Sequence, residues 1–309
     1  MRSLALVLVS IIVLACPISS ARAEQEVVGG SPVPSGRWPD AVAVLMRDGF
    51  CTGTLIAPDV VITAGHCIDA GPLEVIVDTI DHGRAGGQRI RVAWARAYPN
   101  WPRRYDIGVL MLDEPARAKP RKVTSACTAR ELLVRGRRVE IVGFGLATAQ
   151  GLDSNTRLHQ ATVPVTDPTC TLDPACEPSV APHGEFMAGG HGADSCFGDS
   201  GGPVYVATNE GMSLIGVVSR GLALPAAPCG NGGVYVRVDK VIAWVQSVTG
   251  RKLERTTCEG RGDEFELDGD GGCAAGSGVG GYAALVLLLC AWLLHRRDRL
   301  KSTISAVQP

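Results

Sequence analysis

The stretch Asp194-Ser195-Cys196-Phe197-Gly198-Asp199-Ser200-Gly201-Gly202-Pro203 constrains this chain more than any other. Glycines flank Ser200 on both sides, so the segment reads as a tight loop that presents a hydroxyl, with a cysteine to staple it down. Backbone N–H groups beside that hydroxyl are placed to hold an oxyanion. Upstream lie Thr63-Ala64-Gly65-His66-Cys67 and Asp106-Ile107-Gly108-Val109-Leu110. A serine hydroxyl attacks poorly until a base takes its proton, and an imidazole oriented by a carboxylate is suited to that task. His66, Asp106 and Ser200 are therefore the candidate base, orienting acid and nucleophile.

The rest of the chain reads as all-β. It has 309 residues, 38 glycines, only 5% aromatics and a formal charge of −1. Such a balance carries no basic stripe for nucleic acid. Short β-rich runs alternate with turn residues, as in Ala41-Val42-Ala43-Val44-Leu45, Val60-Val61-Ile62-Thr63, Glu74-Val75-Ile76-Val77 and Val139-Glu140-Ile141-Val142. Further runs cover residues 158–163, 214–218 and 233–238. A helical period first appears at Lys240-Val241-Ile242-Ala243-Trp244-Val245.

These motifs, in the chain order His, Asp, Ser, resemble the trypsin/chymotrypsin family of serine proteases over residues 27–249. The resemblance implies two six-stranded antiparallel β-barrels with a C-terminal α-helix. It implies protein or peptide substrates, a monomer, and no cofactor or metal; the six histidines show no paired ligand spacing. In the family the N–H groups of Gly198 and Ser200 form the oxyanion hole. Asp194 stands at the floor of the primary specificity pocket, with Ser219, Gly221 and Gly233 around it, which implies cleavage after Arg or Lys. Val27-Val28-Gly29-Gly30 resembles the activation motif: a cut after Glu26 frees the Val27 amine to pair with Asp199. That cut needs either a separate activating protease or imprecise signal-peptidase trimming. A protease-fold binding protein without turnover is the alternative, although no triad member or loop glycine is missing.

Two departures from the family pattern stand out. Ser219-Arg220-Gly221 replaces the usual Ser-Trp-Gly, so Arg220 either turns into solvent or favours acidic residues just upstream of the cut. The interval 229–233 is short, which is expected to reshape the pocket rim.

Eleven cysteines in an exported chain imply disulfides and an oxidising compartment. Removing Cys16, Cys273 and Cys290 in the two ends leaves eight. The resemblance pairs Cys51 with Cys67 and Cys196 with Cys229. Met187 replaces the usual partner of Cys170, which directs Cys170 to Cys176 and leaves Cys127 with Cys258. Val139 and Val206 together occupy the positions of a further bridge.

The ends read as targeting signals. Residues 1–23 have a basic start, an apolar run and Ala21-Arg22-Ala23 as a cleavage pattern. Residues 24–26 are a short propeptide, 27–250 the peptidase domain and 251–278 a Gly-rich acidic linker. Residues 279–299 form an apolar segment with a basic end. With Gly272-Cys273 ahead of it, this tail resembles the C-terminal sorting tags of myxobacterial surface proteins, which are cut near the cysteine by a sorting protease. A plain membrane anchor is the other reading. Either way the protein is expected to be exported, and secreted or held at the cell surface or outer membrane.

Overall fold

The computed structural model describes residues 28–146, 148, 155–177, 183–222, 224 and 227–258. The expected signal peptide, Val27, residues 259–278 with Cys273, and the 279–299 segment lie outside the described residues.

After a two-residue strand β1 (Ser31–Pro32), six strands form the first barrel. They are β2 (Ala41–Met46), β3 (Gly49–Ala57), β4 (Val60–Thr63), β5 (Glu74–Val77), β6 (Gln88–Ala97) and β7 (Gly108–Leu112), joined in the closed order β2-β3-β4-β7-β6-β5. The second barrel contains β8 (Arg138–Gly143), β9 (His159–Asp167), β10 (Glu185–Ala188), β11 (Pro203–Thr208), β12 (Gly211–Gly221) and β13 (Gly233–Arg237). Its order is β9-β10-β13-β12-β11-β8, and the β8–β9 ladder closes it, with β1 added to the outer edge of β9. All ladders are antiparallel, so the expected double barrel is present.

The barrels close because their strands are rich in β-branched residues that pack on a pleated surface. Every residue of Val-Val-Ile-Thr in β4 is buried. Val139 and Val206 sit in one apolar cluster of the second barrel, so a hydrophobic contact occupies the site of the expected missing bridge. All four expected disulfides are formed: Cys51–Cys67, Cys127–Cys258, Cys170–Cys176 and Cys196–Cys229.

Helical content exceeds the sequence expectation slightly. Besides α3 (Ile242–Thr249), which ends at Gly250 with φ +66°, there are α1 (Gly65–Asp69) and α2 (Ala126–Leu132). Ser125 caps α2, its Oγ accepting the N–H of Thr128. Both added helices are too short to show a 3.6-residue period. The chain also stays on the domain beyond residue 250, where the linker was expected to open. Leu253 and Thr256 are buried, Val123 and Thr256 N–H groups bond across to Glu254 and Val123 carbonyls, and Cys258 is tied to Cys127.

Between the barrels lies a buried ionic stack. Arg121 Nε donates to Asp40 Oδ2 at 2.9 Å, and Tyr205 Oη donates to the same oxygen at 2.6 Å. The Arg121 guanidinium lies over the rings of Trp38 and Tyr205, which stack on each other at 4.5 Å.

Candidate active site

His66 sits in α1 directly after β4, and Asp106 sits two residues before β7, the neighbour of β4 in the barrel. Two glycines permit this approach. A Cβ on Gly65 would lie 3.1 Å from Asp106 Oδ1 and from the Trp101 ring, and one on Gly108 would run into Ile68. Asp106 is buried at 6% exposure and takes three donors. The His66 backbone N–H donates to Oδ1 at 3.0 Å, and His66 Nδ1 lies 2.9 Å from Oδ2. Ser219 Oγ, on β12, donates to the same Oδ2 at 2.8 Å. A carboxylate so held fixes the Nδ1–H tautomer and leaves Nε2 as the acceptor face of the ring.

Ser200 comes from the other barrel, on the loop before β11. Its carbonyl accepts the Thr52 N–H of β3 at 2.9 Å, which bridges the barrels at Ser200. Ser200 and His66 line one cavity of about 310 Å³. Among the described residues His66 is hydrogen-bonded to Asp106 and not to Ser200, and catalytic hydrogen bonds often tighten only on substrate.

The Ser200 loop depends on glycine. Gly198 has φ +95°, and a Cβ there would meet the Phe50 ring at 2.7 Å; Gly201 has φ +79° and no room against Thr63 and Thr52. Thr52 Oγ1 donates to the Gly198 carbonyl at 2.8 Å and so fixes this peptide. The N–H groups of Gly198 and Ser200 donate to no described residue, so both remain open to an incoming oxygen.

Asp199 is fully buried behind this loop and accepts the N–H groups of Gly145 and Cys196, each at 2.8 Å. Burial pushes its carboxyl up to about 7, against the two amides that favour the charge. Val28 is buried against the Cys196–Cys229 bridge, and its carbonyl accepts the Asp194 N–H at 3.2 Å. Gly29, at φ +78°, packs so closely on Gly192 and Ala193 that no side chain fits.

Asp194 differs from a simple exposed pocket floor. It has zero exposure, and its oxygens accept the N–H groups of Gly230 and Gly232 at 2.6 Å each. Both glycines have positive φ, +94° and +105°, the alternation that converges successive amides on an anion. Burial raises this carboxyl while the amides of Gly230, Gly232 and Asn231 lower it, and the net shift is upward. Both amides belong to the short 229–233 interval, which here lies over the carboxylate. Gly221 leaves open space, with no atom closer than 4.0 Å to a Cβ built there, whereas a Cβ on Gly233 would crowd Tyr235 and Ser195.

Arg220, 37% exposed, is held in an ion pair rather than turned wholly into solvent. Its guanidinium grips Glu185 of β10 through both oxygens, at 2.8 and 2.9 Å. Glu185, the Ser219–Asp106 bond and the amide turn over Asp194 were not found in the sequence, because each pairs residues far apart in the chain that meet only in the folded second barrel or, for Ser219 and Asp106, between the two barrels. Cys51, His66 and Cys67 cluster within 4.8 Å, but the two cysteines are bonded to each other and offer no thiolate to a metal.

The comparisons with known proteins agree with this architecture. A relative, glucanase inhibitor protein 3 of Phytophthora infestans, is 32% identical over 240 residues, covering 72% of this chain and 88% of that protein. The trypsin family model matches residues 27–245. With both barrels closed and this sequence matched along nearly all of them, the chain belongs to the trypsin family.

Proposed function

We propose that the protein is an exported serine endopeptidase that hydrolyses peptide bonds through an acyl-enzyme. The observation that carries this reading is the pair His66–Asp106, locked by three donors, opening onto the same cavity as Ser200. His66 Nε2 takes the Ser200 proton as Oγ attacks the scissile carbonyl. The N–H groups of Gly198 and Ser200 receive the developing oxyanion. The imidazolium, steadied by Asp106, then protonates the leaving amine, and water repeats the sequence to release the acid.

Asp194 supports cleavage after Arg or Lys, since a cation is the natural partner of a confined carboxylate. The substrate cation has to share the carboxylate with the Gly230 and Gly232 amides. The docked Val28–Gly29 segment supports activation by a cut that frees the Val27 amine for Asp199. Four disulfides support an oxidising compartment, and the tail sequence supports tethering at the cell surface. A second reading, a binding protein without turnover, is favoured by the amide-capped Asp194 and by the similarity to a glucanase inhibitor protein. Cleavage-site profiling of the activated protein decides between them. Hydrolysis after Arg and Lys that vanishes in Ser200→Ala supports the endopeptidase; profiles identical with and without Ser200 refute it.

A further inference from the structure

On the Asp106 side of His66 lies a second cavity, of about 280 Å³, separate from the one that holds Ser200. Trp101, Arg104 and Glu177 line it together with the Arg220–Glu185 pair. Glu185 is 3% exposed, and all the described hydrogen bonds of its carboxylate come from Arg220. The guanidinium is committed in the same way. One terminal nitrogen also bonds Ser219 Oγ at 3.3 Å, and the other donates to the Ala175 carbonyl at 2.8 Å. Among the described residues only its Nε–H is left over. The pair is thus a fixed, charged wall.

Two consequences follow from charge and hydrogen bonding. The cavity balances its ionic side chains outside the His66–Asp106 pair: Arg104 and Arg220 against Glu177 and Glu185. An acidic substrate residue therefore meets no surplus of positive charge among the described residues, which argues against a taste for acidic residues. A large apolar residue would strip water from the Arg220 Nε–H and the Glu177 carboxylate without replacing their hydrogen bonds, and that is costly. A carboxamide suits both, since it carries an acceptor and two donors.

We propose that the Arg220–Glu185 pair determines specificity in this cavity, selecting a substrate residue with a polar, uncharged side chain, Gln or Asn, over large apolar or acidic ones. The inference rests on the endopeptidase reading and concerns the substrate residue that falls on the Arg220 side of His66. The pair acts as a unit because Arg220 neutralises a carboxylate that has no other described partner. Arg220 alone cannot be removed without leaving Glu185 buried and unmatched.

The test is a position-scanned peptide library on the activated wild type, on the double variant Glu185→Met with Arg220→Leu, and on Arg220→Lys. Wild type should prefer Gln or Asn over Leu or Phe about tenfold at one position upstream of the cut. The double variant should reverse that preference by about tenfold, and Arg220→Lys, which cannot bridge both oxygens, should retain only part of it. Melting curves establish that each variant is folded. The same ranking is read independently as binding of the peptides to Ser200→Ala by fluorescence anisotropy. A protein that binds with this ranking but never cleaves overturns the endopeptidase reading and leaves the selection by the Arg220–Glu185 pair standing. A wild-type preference for apolar or acidic residues there, or a double variant with the wild-type ranking, overturns the selection by the Arg220–Glu185 pair.

Discussion

Asp199 gives the uncut chain a measurable dependence on pH. Its carboxyl is fully buried, takes two amide donors, and is pushed by burial from 3.8 up to about 7. An unfolded aspartate keeps its ordinary value, so the gap is about 3 units, or about 4 kcal/mol at 1.36 kcal/mol per unit. The sign follows from which state holds the proton more tightly. Because the folded value is the higher one, the stabilising contribution is complete below about pH 4 and is lost as pH rises through about 7. The assay is urea unfolding of uncut Ser200→Ala protein, which cannot cut itself, from pH 4.5 to 8.5, compared with the same protein carrying Asp199→Asn. The parent should lose about 3–4 kcal/mol more than the Asn variant across that range. After cleavage to a Val27 terminus the difference should shrink or reverse, because an ammonium would then favour the charged carboxylate. Parallel curves for the two uncut proteins, or a parent that gains stability as pH rises relative to the Asn variant, would refute the reasoning.

Other perturbations test separate parts of the account. Arg121→Met leaves the Asp40 carboxylate, 1% exposed, without its cation between the barrels, and should cost about 3–5 kcal/mol in chemical denaturation. Asp194→Ser should abolish cleavage after Arg and Lys in peptide profiling; an unchanged preference would place the recognising charge elsewhere. Ser219→Ala removes one of the three donors that hold Asp106, and should lower kcat/KM about tenfold at constant fold, given the ~1.5 kcal/mol typical of a bond to a charged group. Steady-state kinetics with an Arg or Lys ester reads that loss.

Local sequence carried much of the fold and most of the candidate site. The runs at β2, β4, β5 and β8 are legible because β-branched residues are concentrated in four to six positions bounded by turns. β3 was not read: Gly-Phe-Cys-Thr-Gly-Thr-Leu-Ile-Ala breaks the pattern with small residues where Ser200 and Phe144 press against it. β6 was missed because exposed arginines alternate with its apolar residues, and a bulge between Val92 and Trp94 shifts the alternation, so no continuous β-branched run marks it. His66, Asp106 and Ser200 each sit in a self-contained motif, so the chemistry was visible before the fold. What could not be read were the partners. Ser219 is 113 residues from Asp106, Glu185 is 35 from Arg220, and the amides over Asp194 come from 36 and 38 residues away. Nothing in the local sequence of Arg220 announces that its charge is already matched.

The reactivity of Ser200 is the claim on which the reading as an enzyme stands, and covalent labelling measures it without knowledge of the substrate. Protein cut to begin at Val27 should take up one fluorophosphonate per chain at Ser200, and mass spectrometry of the labelled peptide should show the adduct absent from Ser200→Ala and from His66→Ala. A folded, Val27-terminated protein that remains unlabelled under conditions where an ordinary serine protease reacts to completion would contradict it.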